Sequence, residues 1–331
     1  MTEKATYDFC GSGLRLEAED AEIAEMFGRG FGGFIAGDER SFAKPPFVLR
    51  IGTGEPVAAE DLPLVWEGTF PEGGAGRLFE TEERCRLEVA GACVLDIAPA
   101  SRQASVALAP GGGRRFMGSA SMLLLDFVLL AGEQHLVHAA CLTRPKTGGA
   151  ILVCGPSGGG KTTTAIALSR GGFGLMTDDA GVIAFGPDSV RAWGLPRGLK
   201  VHKHTAALMP WLAPLLGEHW DGSGEQGLPL CDVAGHLDLA KPTLVPLEAV
   251  IVLGSRSAGG HGIEPVPKSA ALIEIAADNI AWYASGAPQR SAQMFDALGR
   301  ALAAVPTYRL HAGPDLDALP AFVKRFLEGA V

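Results

Sequence analysis

The sequence has no closely spaced cysteine pair, no excess of positive charge and no apolar run long enough to span a membrane. Its six cysteines, at positions 10, 85, 93, 141, 154 and 231, form no Cys-x-x-Cys pair, and such scattered thiols are typical of buried side chains in a reducing compartment. Its 28 Lys and Arg residues are outnumbered by 37 Asp and Glu, giving a net charge of −9, whereas nucleic-acid partners require clustered positive charge. The longest apolar stretch, 122–132, is interrupted by Asp126 and is too short to cross a bilayer. We therefore expect neither a nucleic-acid partner nor a membrane partner.

A signal segment and internal repeats are also missing. The first nine residues, MTEKATYDF, are charged and contain no apolar core, so we expect a cytoplasmic protein. The 331 residues, 47% of them hydrophobic, are enough for two domains with separate cores.

The first third of the chain reads as short strands separated by Gly and Pro turns. Alternating apolar residues predict strands such as 47–51, 85–89 and 104–108, and an acidic stretch at 17–27 predicts a helix. The glycine-rich run 109–115 is expected to be a loop. Since no catalytic cluster lies here, we predict a strand-rich domain at 1–118, for recognition or assembly, and a catalytic domain at 119–331.

The rest of the chain alternates strands and helices. We predict a helix at 119–131, paired strands at 135–143 and 150–154 around a turn, a helix at 161–169, and strands at 173–177 and 181–185. Further predicted elements are a buried strand at 249–253, helices at 269–281, 291–304 and 315–328, and a strand at 307–311. Residues 194–246 are expected to be irregular, as a substrate loop or lid. The pattern predicts an α/β nucleotide-binding core.

The strongest motif is GPSGGGKT at 155–162, which matches G-x-x-x-x-G-K-[ST] between a predicted strand and a predicted helix. Glycines allow successive backbone N–H groups to surround phosphate oxygens, and the helix N-terminus faces the anion. Lys161, expected on a solvent-facing loop, would reach the β- and γ-phosphates of ATP, and Thr162 would bind Mg²⁺. The predicted nucleotide-binding residues are Gly155, Pro156, Ser157, Gly158, Gly159, Gly160, Lys161, Thr162 and Thr163.

Two further features precede and follow this loop. Asp178 and Asp179 end the next apolar strand, where a carboxylate can hold Mg²⁺ or accept a proton from an attacking hydroxyl; a capping pair in a turn would look the same. His138 is predicted in the strand that pairs with 150–154, where it is either near the phosphates or a satisfied core residue.

His138, the glycine loop and Thr177-Asp178-Asp179 together resemble the HPr kinase/phosphorylase family, whose catalytic domain shares its fold with the phosphoenolpyruvate carboxykinases. The resemblance covers roughly 120–331, and the strand 307–311 with its following helix also looks like the HPr kinase-related peptide serine kinases of lasso-peptide gene clusters. It implies that Asp178 is the base, that His138 tunes it, and that Asp179 supports the metal with Thr162. A family arginine matches Arg256, with Arg197 as a weaker match. The family's metal-binding Glu has no counterpart, since 190–197 contains no acidic residue.

The resemblance implies an ATP-dependent, Mg²⁺-assisted kinase that acts on a serine of a peptide or protein, for instance a precursor peptide. Phosphorolysis of a phosphoserine and homo-oligomerisation stay open. Two other functions also stay open: a kinase of a small hydroxylated metabolite, and a nucleotide-binding regulatory module that needs no base.

Overall fold

The structure is a computed structural model that describes residues 2–36, 42–54, 62–70, 74–187, 189–282 and 288–329. It is a mixed α/β protein with several sheets. The chain divides into two compact units, residues 1–135 with 283–291, and residues 136–282 with 292–331. The division falls after residue 135, whereas the sequence suggested a boundary at 118/119. Compactness does not measure independent folding, so the two-domain assignment stays a prediction. Among the described helices, none is both long and apolar enough to cross a lipid bilayer.

The first unit contains an eight-stranded sheet in the order β1-β2-β3-β8-β7-β6-β5-β4. Its strands alternate buried and outward residues, as in β2, where Leu14 and Leu16 are buried and Arg15 is exposed. Cys10 and Gly11, both with positive φ, form the two-residue turn between β1 and β2. The strands are β1 Glu3–Phe9, β2 Ser12–Ala18, β3 Phe47–Thr53, β4 Leu64–Thr69, β5 Ala75–Glu80, β6 Cys85–Val89, β7 Cys93–Ala98 and β8 Gln103–Leu108.

Among the described residues before position 134, this unit contains three α-helices. Helix α1, Ala21–Phe31, begins after Asp20, whose side chain accepts a hydrogen bond from the Ile23 backbone N–H. The prediction of a helix at 17–27 placed its start wrongly, because the alternating residues up to Ala18 belong to β2. The glycine-rich run 109–115 is not a loop throughout, because its last three residues form α2, Gly113–Arg115. A π-helical turn at Phe116–Ala120 and helix α3, Ser121–Ala131, follow it.

The second unit is built on a sheet in the order β12-β10-β11-β17-β14-β13-β9, with β19 beside β17 and β18 beside β19. Strands β11, β17 and β19 are parallel neighbours. Strands β10 and β11 pair antiparallel around the predicted turn, with Thr143 opposite Ala150. The strands are β9 Gln134–His138, β10 Ala140–Thr143, β11 Ala150–Cys154, β12 Gly174–Thr177, β13 Ala180–Phe185, β14 Val190–Gly194, β15 Leu199–His202, β16 Glu225–Leu228, β17 Val245–Leu253, β18 Gly262–Pro265 and β19 Thr307–His311.

The predicted strand 135–143 is two strands. It breaks at Ala139, which bridges to Ala180, and only β10 pairs with β11. His138 therefore ends β9, and strands β17, β14 and β13 lie between β9 and β11 in the sheet. The prediction that the strand of His138 pairs with the glycine-loop strand is wrong.

The predicted irregular stretch contains short elements. Strands β15 and β16 pair antiparallel as a separate two-stranded sheet, and the residues between them include a six-residue helix and a 3₁₀ segment at Pro210–Leu215. Apolar residues of this stretch, such as Leu212, join the core around β11. The helices of the chain after α3 are α4 Lys161–Arg170, α5 Lys203–Leu208, α6 Leu230–Val233, α7 Lys268–Trp282, α8 Pro288–Ala304 and α9 Leu319–Gly329.

Candidate functional site

The glycine loop connects the fully buried strand β11 to helix α4. Gly158 and Gly160 have φ values of 72° and 97°, a backbone region that residues with a Cβ rarely adopt. Gly160 is the residue before α4 and supplies no capping side chain. Glycine permits this backbone turn, and the loop leads into a helix N-terminus, a position that favours an anion.

Lys161 is the first residue of α4, and the expectation that it faces solvent is wrong. Its side chain is 6% exposed, and Nζ donates to Gly155 O at 2.7 Å and to Pro156 O at 3.3 Å. Burial lowers the pKa of Lys161, although nearby carboxylates, first that of Asp278, oppose the shift. The ammonium group is folded back onto the loop that carries it.

Asp178 follows β12 and lies against the second residue of α4. Its Oδ2 accepts from Thr162 Oγ1 at 2.8 Å and from the Lys200 backbone N–H at 3.3 Å. The residue is 1% exposed, and its Oδ1 is buried and accepts no hydrogen bond from another described residue. Burial, and next the negative charge of Asp179, raise the pKa of Asp178 to about 6, against the hydrogen bonds from Thr162 and Lys200. Asp178 is thus a buried carboxylate whose Oδ1 has no hydrogen-bond donor among the other described residues.

Asp179 points elsewhere. Its Oδ1 lies 2.8 Å from His138 Nε2, and its Oδ2 lies 3.4 Å from Lys200 Nζ. Burial opposes ionisation of Asp179, but the hydrogen bond from His138 and the charges of Lys200, His138 and Lys161 outweigh it and hold its pKa below the usual range. His138 therefore contacts Asp179, whereas the resemblance implied that it tunes Asp178.

Helix α7 completes this cluster with two residues that the sequence did not single out. Asp278 Oδ2 lies 2.7 Å from His138 Nδ1 and 3.7 Å from Lys161 Nζ. Asn279 Oδ1 accepts from the His138 backbone N–H at 2.7 Å, and its Nδ2 donates to Ile275 O. The signal that could have revealed them is an adjacent Asp-Asn pair on a helix otherwise rich in apolar residues.

Two other predicted residues are placed differently. The Thr163 hydroxyl is buried and shares a hydrogen bond of 2.8 Å with Thr205, so its side chain is committed to packing α5 against α4. Arg256 is exposed after β17, with NH1 3.4 Å from His204 Nε2. No contact of the described residues joins Arg256 to Lys161 or to the carboxylate pair. Arg256 follows the end of β17, whose Leu253 borders Gly155, so Arg256 lies at the same edge of the sheet as the glycine loop.

The donor set suits a hard cation. Among the described residues no group of three or more His, Cys, Asp or Glu side chains could hold a metal by itself. A hydroxyl and one buried carboxylate with an unused oxygen, as at Thr162 and Asp178, nevertheless fit Mg²⁺, which keeps several waters and binds through one or two carboxylates plus substrate phosphates.

The fold and the site define a mixed α/β protein with a glycine loop beside a carboxylate pair. No protein-family model matches the chain, and no curated protein matches it. Among solved structures, the HPr(Ser) kinase/phosphatase from Coxiella burnetii is similar at 11% sequence identity, with a TM-score of 0.30, over 59% of this chain and 95% of that chain. The relationship is distant and concerns the fold alone, so the chemistry below is argued from the residues of this chain.

Proposed function

We propose that this chain transfers the γ-phosphoryl group of ATP to a serine hydroxyl of a peptide or protein. The observation that carries the proposal is the contact of 2.8 Å between Thr162 Oγ1 and Asp178 Oδ2. It joins the residue after the glycine-loop lysine to the carboxylate pair at the end of β12. Phosphoryl transfer needs these parts together, because its catalysis consists of positioning and of charge stabilisation.

The donor side of the site is the glycine loop with Lys161. Backbone N–H groups of the loop and of the first turn of α4 would hold the phosphates of ATP. Lys161 now donates to two loop carbonyls; it would exchange them for phosphate oxygens and neutralise the charge that grows as the phosphoryl group leaves.

The metal side is formed by Thr162 and Asp178. When bound there, Mg²⁺ would neutralise charge on the donor phosphates. The sequence assigned the metal to Asp179 and the base to Asp178, but the contacts favour the exchange of these roles. Asp178 is essentially buried, touches Thr162 and has an unused oxygen. The raised pKa of Asp178 is expected for a buried carboxylate that lacks a cation, so it does not by itself indicate a base.

The acceptor side is formed by Asp179. Its side chain is 15% exposed and is held by His138 and Lys200, so it has a fixed direction and some access. As the serine oxygen forms its bond to phosphorus, the hydroxyl proton would pass to a carboxylate oxygen of Asp179 and the bond to ADP would break. His138 and Lys200 hold the pKa of Asp179 low, so Asp179 would be ionised before transfer and would accept the proton late, after the serine oxygen has begun to bond to phosphorus.

The test is a transfer assay with radiolabelled Mg·ATP and two acceptor libraries, serine-containing peptides and small polyols. We expect stable phosphopeptides from the wild-type chain and about 10²–10³-fold slower labelling by Lys161→Met. Labelled polyols without phosphopeptides would replace the peptide substrate with a metabolite. Nucleotide binding with slow hydrolysis and no labelled acceptor would favour the regulatory module and contradict the proposal. The role of residues 1–118 in acceptor recognition or assembly is part of the same proposal.

A further inference from the structure

We propose that Asp278 of α7 is a positioning residue that sets the direction of the His138 ring and restrains Lys161. This inference rests on the proposed phosphoryl transfer and adds a residue more than a hundred positions from the glycine loop. Asp278 itself would touch neither ATP nor the acceptor.

The first part of the argument concerns the His138 ring, which has a carboxylate oxygen close to each nitrogen. Nδ1 lies 2.7 Å from Asp278 Oδ2, and Nε2 lies 2.8 Å from Asp179 Oδ1. An imidazole ring is planar and its two nitrogens are fixed relative to each other, so a partner at Nδ1 determines where Nε2 points. The charge contact with Asp278 therefore restrains the direction in which Nε2 meets Asp179, the proposed base.

The backbone of the same histidine is held by the next residue of the helix. Asn279 Oδ1 accepts from the His138 N–H at 2.7 Å, and both residues are buried. Helix α7 thus fixes the end of β9 through the main chain and the ring through Asp278. A histidine that only filled the core would not need two polar partners from one helix.

The second part concerns Lys161. The same Asp278 oxygen lies 3.7 Å from Lys161 Nζ, which donates to the carbonyls of Gly155 and Pro156. Asp278 is therefore a negative charge next to the group that must attract phosphate. Removing that charge would weaken the competition for Lys161 and make the site more positive.

These two contacts predict effects of opposite sign. Asp278→Asn keeps the shape of the side chain and removes its charge. We expect turnover to fall by roughly 10–100-fold, because the ring of His138 loses the partner that orients it. We expect affinity for ATP to stay equal or to rise by about 2- to 10-fold, because a negative charge near the phosphates is gone. Damage to the fold would instead lower both.

The experiment measures turnover, the KM for the acceptor and the affinity for a non-hydrolysable ATP analogue in the full chain. The matched control is Glu274→Gln, one turn earlier on α7. Glu274 is 44% exposed and pairs with Arg309, so this variant removes the same charge from the same helix outside the cluster. It should leave turnover and nucleotide affinity unchanged. Asp278→Glu, which keeps the charge, should recover part of the lost turnover.

A double-variant comparison tests whether Asp278 acts through His138. Asp278→Asn combined with His138→Asn should have the turnover of His138→Asn alone, since a ring that is absent cannot be positioned. Additive losses would overturn the inference, as would a weakened affinity for the ATP analogue in Asp278→Asn with wild-type turnover.

A separate readout does not depend on the proposed reaction. Nitrogen NMR of labelled histidine should show that both ring nitrogens of His138 change environment in Asp278→Asn and stay unchanged in Glu274→Gln. If the wild-type chain transferred no phosphoryl group, the proposed function would fail, while these spectra and the nucleotide affinities would still decide the role of Asp278. Unchanged His138 signals in Asp278→Asn would exclude it.

Discussion

Each unit contains a buried ionic cluster, and the two clusters have similar side chains but differ in how completely their charges are paired. In the first unit Arg290 binds Glu80 in a bidentate pair, with Nε–Oε1 at 2.8 Å and NH2–Oε2 at 2.9 Å, and its NH1 lies 3.4 Å from Asp126 Oδ2. The guanidinium also lies over the Phe127 ring, 5.2 Å from its centre. Every guanidinium nitrogen of Arg290 has a carboxylate partner, so we call this cluster closed.

The cluster in the second unit is open. Asp179 and Asp278 share His138, Lys200 pairs with Asp179, and Lys161 lies near Asp278. The buried Oδ1 of Asp178 accepts nothing from another described residue. Lys161 donates to backbone carbonyls and not to a carboxylate at hydrogen-bond distance. An unused buried acceptor costs free energy unless a ligand satisfies it. Both clusters bury charge, and incomplete pairing beside a glycine loop distinguishes the second one, which is the proposed site.

The carboxylate pair should show the largest effect, and it tests whether the open cluster serves chemistry. Asp179→Asn should lower single-turnover rates by roughly 10²–10⁴ while leaving Mg·ATP affinity largely unchanged, because a base is lost and the metal side is intact. Asp178→Asn should lower Mg²⁺-dependent ATP affinity by about 10–100-fold. Calorimetric titration of Mg·ATP and quenched-flow rates on both variants provide the measurement. The reverse pattern would restore the roles that the sequence suggested, and equal losses of affinity would indicate one shared metal site.

Most of the second unit could be predicted from sequence, because its elements carry strong local signals. The strand, glycine loop and helix at 150–170 follow from an apolar run, a motif and a helical pattern, and the structure confirms the elements. The break at Ala139 and the start of α1 were missed, since both depend on which strand a residue joins. Pairing of distant strands leaves no local mark in the sequence.

The candidate site divides in the same way. Lys161, Thr162 and the carboxylate pair were found because motif spacing and strand ends place them together. Asp278 was not, since its part in the cluster depends on how α7 packs against the end of β9. The closed cluster was wholly unpredicted, because Glu80, Asp126 and Arg290 are far apart in sequence and belong to no motif.

The closed cluster should affect stability. Arg290→Met keeps much of the apolar stem but leaves two buried carboxylates without their cation, so we expect a loss of about 3–5 kcal/mol in the free energy of unfolding. Turnover per folded molecule should not change. Arg300→Met is the control on the same helix: Arg300 is exposed, pairs with Asp296 at 4.0 Å and lies over the Phe185 ring, 3.9 Å from its centre, so its loss should stay within about 1 kcal/mol. Denaturant unfolding measures both, and equal losses would remove the distinction between the clusters.

Lys161→Met should behave in the opposite way. Loss of its charge should lower turnover at saturating ATP by about 10²–10³-fold, or roughly 3–4 kcal/mol of transition-state stabilisation. The free energy of unfolding should fall by no more than about 1–2 kcal/mol, since the stem is kept and two hydrogen bonds to carbonyls are lost. Lys146→Met, at an exposed lysine paired with Glu328, is the control. A variant that retained more than about a tenth of wild-type turnover would contradict the role of the glycine loop.

The smallest effect concerns the pH dependence of the closed cluster. Burial raises the pKa of Asp126 to about 6, against the opposing charge of Arg290, whereas in the unfolded chain an aspartate titrates near about 3.9. The folded state therefore binds this proton more tightly, so the stability that it contributes is present below about pH 3.9 and is lost as the pH rises through about 6. The amide of the Asp126→Asn variant does not titrate, so this variant is the reference. The free energy of unfolding of the wild type, relative to this variant, should fall by about 2 kcal/mol between about pH 4.5 and 7.5. Urea unfolding at both pH values measures it, with Asp296→Asn, at an exposed aspartate, as the control for one lost charge. A constant difference across the range would mean that Arg290 keeps Asp126 ionised throughout, and that the closed cluster is an ordinary network of paired charges.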